Sequence, residues 1–137
     1  AEDATNGKRP GAHTPLPCIA DNDQALGRIV QGVTHSRFWP RTAIFVIEAS
    51  ADGGPDHVDA HRTVGLVISP YVKRNSVDHT LYTTASFLRT IELALHLPPM
   101  TQYDEHATPL LGLFTDKPDL AGYKLERTKV NLEARNP

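Results

Sequence analysis

A chain of 137 residues, 39% hydrophobic and 22% charged, is long and apolar enough to bury a core without covalent or metal staples. Its 14 basic and 16 acidic residues give a formal charge of −2, which excludes the basic field that nucleic acid or an anionic membrane would require. The single cysteine, Cys18, excludes an internal disulfide and a thiolate metal cage. No apolar run reaches the length of a membrane span or has the layout of a signal peptide.

The sequence reads as one domain over residues 1–137. Residues 1–19 carry Pro10, Pro15 and Pro17 with Gly7 and Gly11, which predicts an extended arm. Asp21-Asn22-Asp23 offers cap oxygens and negative charge for a helix start. Ala25, Leu26, Ile29, Val30 and Val33 then recur at helical spacing, predicting a helix to about Thr34. Two β-branched apolar runs follow, Thr42 to Ile47 and Val64 to Ile68, and read as buried strands. Tyr71 to Asp78 is a polar connection. A second helix is expected from the Thr80–Thr83 region to about His96, with Phe87, Leu88, Ile91 and Leu95 as its apolar stripe and Pro98 ending it.

Beyond Thr101 the periodicity weakens. Pro109 to Phe114 is expected to form a short packed turn or strand. The charged tail 115–137 reads either as a solvated helix near 119–134 or as a docking arm. The element order predicts an α/β architecture, a layered sheet flanked by helices. Two strands make a thin sheet for this length, so something else is expected to cover it, either the termini or another chain, whether a second copy or a partner.

The most site-like stretch is the loop from Glu48 to Arg62, EASADGGPDHVDAHR, held between the two strands. It gathers Asp52, Asp56, His57, Asp59, His61 and Arg62, and histidine is both the titrating group near neutral pH and a frequent metal ligand. His57 and His61 are candidate metal ligands, or imidazoles that bond to loop backbone. Asp56 and Asp59 are candidate ligands, orienting carboxylates or turn caps. Arg62 has the forked donors that suit a phosphate, and equally a salt bridge to Asp56 or Asp59. No serine has a base at fixed spacing, so no nucleophile is assigned. Cys18, between Pro17 and Ile19, is expected to be a small buried hydrophobe.

Several phrases, taken together, resemble the C-terminal part of a bacterial phosphoesterase family in the alkaline phosphatase superfamily. They are RPGAHTP (9–15), ADNDQALG (20–27), TAIFVIE (42–48), GPDHVDAHRT (54–63), VISPY (67–71), LRTIEL (88–93) and LPPM (97–100), in family order. The resemblance implies an α/β hydrolase of phosphate esters that uses divalent metal (zinc, manganese or calcium) and is exported to the periplasm or outside the cell. Its metal positions fall on Asp3, Glu48, Asp56, His57 and His61, and its phosphate-binding position on Arg62.

The family's NDHT is replaced here by Glu2-Asp3-Ala4-Thr5, and its EDD by Glu48-Ala49-Ser50. The nucleophile and one metal-binding Asp belong to an N-terminal half outside the matched segments. A two-metal centre needs anionic oxygens and imidazoles to hold its dications. The expectation is therefore a phosphoesterase-like domain that is degenerate or incomplete as a catalyst on its own. The alternative is a non-catalytic module that assembles with itself or with a partner chain.

Overall fold

A computed structural model describes residues 9–48 and 63–137. Its elements are α1 (Pro15–Thr34), β1 (Ile44–Ile47), β2 (Gly65–Ile68), α2 (Thr84–Leu95) and α3 (Gln102–Glu105), with short 3₁₀ turns at Trp39–Arg41 and Leu110–Leu113. This is a small mixed α/β fold with three helices and one two-stranded antiparallel sheet among the described residues. The described residues gather into two compact units, 9–41 with 120–137, and 42–48 with 63–119.

In the first unit, α1 starts at Pro15, inside the segment expected to be an extended arm. Proline is tolerated there because the first helical N–H groups have no intrahelical acceptor to lose. Thr14 is the N-cap, in extended conformation, and its side chain makes no cap bond. The expected cap at Asp21-Asn22-Asp23 is thus corrected: these residues lie within the helix.

The C-terminal tail is the docking arm, not the helix. Tyr123 N–H donates to Thr34 Oγ1 at 2.9 Å near the end of α1, and a Cβ on Gly27 would meet Leu125. At the other end Thr14 N–H donates to Ala134 O at 3.1 Å and Asn136 N–H to Ala12 O at 2.9 Å. The arm therefore runs antiparallel to α1. Thr128, Val130, Leu132, Ala134 and Asn136 are half-buried, while Lys129, Asn131, Glu133 and Arg135 between them are exposed. That period of two belongs to extended chain.

In the second unit β1 and β2 pair in the register Ile44↔Ile68, Phe45↔Val67, Val46↔Leu66 and Ile47↔Gly65. Both strands are shorter than the apolar runs that predict them, and Val64 stands outside β2 and 68% exposed. Alternation puts Phe45, Ile47, Gly65 and Val67 on one face. Phe45 meets Phe87 of α2 edge to face, with ring centroids 6.3 Å apart, so α2 covers that face. A Cβ on Gly65 would meet the Phe87 ring, which ties the absence of a side chain there to this packing.

Helix α2 forms where the pattern predicts it, but its buried residues are Ser86, Thr90 and Glu92; Phe87, Leu88 and Ile91 of the expected stripe are half-buried and Leu95 is 61% exposed. Ser86 Oγ accepts from Thr83 N–H at 3.0 Å at the start. At the end His96 turns left-handed (φ 56°) and Leu97 N–H donates to Glu92 O at 2.8 Å, the geometry that closes a helix before Pro98. Thr90 Oγ1 donates to Ser86 O at 2.7 Å and accepts from Leu110 N–H at 2.8 Å, which pins the 3₁₀ turn to α2. The expected packed turn at Pro109–Phe114 is this one. The four-residue α3 is not predicted by the sequence pattern.

Candidate functional site at the mouth of the β1–β2 hairpin

Both strands end where the polar loop leaves the sheet. Backbone pairing stops at Ile47↔Gly65, and the next link across the hairpin is made by side chains: Thr63 Oγ1 donates to Glu48 Oε2 at 2.6 Å. The two partners are fifteen positions apart in the chain, so this bond ties together the ends of the two strands. Both residues are exposed. Among the described residues Glu48 makes no other side-chain bond, and its second oxygen retains acceptor capacity.

Beside the mouth, Phe45, Ile47, Phe87, Leu88 and Ile91 line an apolar groove of about 470 Å³, with Tyr103 also in its wall. Ile47 belongs to this wall and directly precedes Glu48 in the chain.

The α2–α3 corner holds acidic groups of another kind. Asp104 is 2% exposed and accepts from Met100 N–H at 2.7 Å, from Thr101 N–H at 2.9 Å and from the Thr101 hydroxyl. Bonding from that hydroxyl, aided by the Met100 amide, holds its carboxyl well below the usual carboxylate range, although burial acts in the opposite direction. Glu92, also 2% exposed, pairs through Oε2 with Arg89 Nη1 at 3.3 Å. Near the surface, the Thr80 hydroxyl and amide and the Tyr82 phenol lower the pKa of Asp78, and the same bond raises that of Tyr82. Asp104 and Asp78 cap turns and fix loops, whereas Glu92 lies inside α2 and pairs along it.

In the first unit, His13, Cys18, Asp21 and Glu133 contribute to the wall of a cavity of about 270 Å³. Cys18 is half-buried on that wall, less enclosed than its apolar neighbours predict. Among the described residues no group of three or more His, Cys, Asp or Glu side chains is arranged to hold a metal ion.

Of the sequence-predicted site residues, the structure places Glu48, at the strand end. Asp3, Asp56, His57, His61 and Arg62 lie outside the described residues, as do Ala4, Ala49 and Ser50. Thr63 is not among the sequence-predicted site residues; the signal available for its bond is a hydroxyl two residues before the second strand, opposite the carboxylate that follows the first. No protein-family model matches the chain, and no curated protein sequence matches it. Among the described residues, no helix is long and apolar enough to cross a membrane.

Proposed function

We propose that the chain is a phosphoesterase-like domain related to metal-dependent phosphate-ester hydrolases, with the β1–β2 hairpin as its site. The observation that carries this reading is the Glu48–Thr63 bond. It sets a carboxylate at the root of the loop that contains Asp56, His57, His61 and Arg62. Glu48 fits a hard divalent cation on chemical grounds: it is an exposed anionic oxygen donor with one oxygen held and the other still able to accept.

In this reading Glu48, Asp56, His57 and His61 hold the metal, together with Asp3. Arg62 pairs with the phosphoryl oxygens through its fork. A bound dication would supply Lewis-acid stabilisation of phosphoryl charge. Ala4, Ala49 and Ser50 stand where the resembled family has ligands, so the domain is read as degenerate or incomplete as a catalyst on its own. The apolar groove beside the mouth suits the organic part of a phosphate ester.

The test is elemental analysis of protein purified without chelator. Stoichiometric zinc, manganese or calcium is expected, and it should disappear when His57 and His61 are both changed to Ala. No uptake, even after soaking in excess metal, would sink this reading.

A second reading is favoured by the sheet. Among the described residues it has two strands, and neither outer edge pairs with a further strand. Ile44, Val46, Leu66 and Ile68 share the face opposite Phe45, and Leu66 is 39% exposed. Open edges of this kind are templates for strand addition, so the alternative is a non-catalytic module that assembles with its own copies or with a partner chain. Sedimentation analysis discriminates: a strict monomer that takes up metal supports the first reading, and a metal-free oligomer supports the second.

A further inference from the structure

We infer that α1 pairs antiparallel with α1 of a second copy of the chain, through an apolar seam that the C-terminal arm leaves open. The inference goes beyond both readings above, since it needs neither a metal nor an open strand edge. The arm covers the side of α1 that carries Gly27 and Thr34. Ile19, Asn22, Leu26, Ile29 and Val33 lie on another face, at alternating steps of three and four residues. Ile19 and Ile29 are 59% and 58% exposed, Asn22 is exposed, and Leu26 and Val33 are half-buried. A narrow stripe at this spacing fits the side-chain rows of a facing helix, which take its residues as knobs.

Charge selects the facing helix and its direction. Asp21 and Arg28 are exposed on one flank of the seam, two helical turns apart. Among the described residues neither has an ion pair or a side-chain hydrogen bond. Between them and the seam stand only Cys18, Ala25 and Gly32, small enough to let a second helix approach closely. When two α1 helices run antiparallel with Ile19 opposite Ile29 of the second copy, Asn22 faces Leu26 and Asp21 stands beside Arg28 of the second copy. The two-fold axis repeats that pair, so a single surface supplies both halves of the contact. A parallel pair would set Asp21 against Asp21 and Arg28 against Arg28, which like-charge repulsion disfavours.

The experiment is sedimentation equilibrium of the whole chain over a concentration series, in chelator so that metal plays no part. The seam is short, so wild type is expected to dimerise weakly and in a concentration-dependent way. Ile29→Glu should weaken the dimer at least about 10-fold while leaving the thermal midpoint of the dilute protein unchanged, because the side chain is exposed in the single chain. Asp21→Arg and Arg28→Glu should each weaken it by about 3- to 10-fold, and the two together should return it to within about threefold of wild type. A dimer indifferent to Ile29→Glu overturns the inference and leaves assembly through the sheet standing. Charge reversals that do not compensate each other overturn the antiparallel pairing and the inference with it. A strict monomer overturns both the inference and the assembly reading.

Discussion

Two threonine–carboxylate pairs in the same unit show how similar chemistry serves different ends. At the α2–α3 corner, Thr101 and Asp104 are three residues apart, and the carboxylate is buried and saturated by two amides and a hydroxyl. At the hairpin mouth, Thr63 and Glu48 are fifteen residues apart, and the carboxylate is exposed with capacity left over. The first pair is a capping box that holds a four-residue helix, which is too short to persist by its own propensity. The second, among the described residues, leaves one carboxylate oxygen with acceptor capacity. Saturation and burial, more than residue type, separate the structural acid from the candidate ligand.

The sharpest way to break that comparison is Asp104→Ala. It removes the acceptor from three donors at a buried corner, so it should give the largest fall in thermal midpoint of any change considered, roughly 5 °C or more. A near-neutral result would mean that the corner is not structural. Next is Thr90→Val, which leaves the buried Leu110 N–H without its acceptor and should cost about 1–3 kcal/mol in chemical denaturation.

Acid titration sharpens the contrast further. The folded Asp104 carboxyl titrates below its unfolded value, so its stabilisation is complete above the ordinary carboxylate range and is lost as pH falls through and below it. Thermal midpoints measured from pH 6 to pH 2 should therefore fall less steeply for Asp104→Asn than for wild type. The smallest effect on folding is expected at the hairpin mouth. Glu48→Gln should change stability by less than about 0.5 kcal/mol while weakening Zn²⁺ or Mn²⁺ binding in calorimetry. A large stability loss there would place Glu48 with Asp104 as a structural acid.

What could be read in advance was local in origin. The helix α2 follows from an apolar stripe bounded by Thr83 and Pro98, and both strands follow from short β-branched runs. The tail admitted two readings because its charges suit a solvated helix, while Val130, Leu132 and Ala134 also carry a period of two. Only a partner surface could choose between them, and α1 is that surface.

The amino-acid sequence by itself determined the places of α2 and the two strands, because periodicity, caps and chain breakers act over a few residues. Tertiary structure alone decided that α1 begins at Pro15, that the tail lies extended along it, and that Thr63 bonds Glu48. Each of these joins residues distant in sequence or depends on packing, and no local pattern encodes which donor will meet which acceptor once the chain has folded.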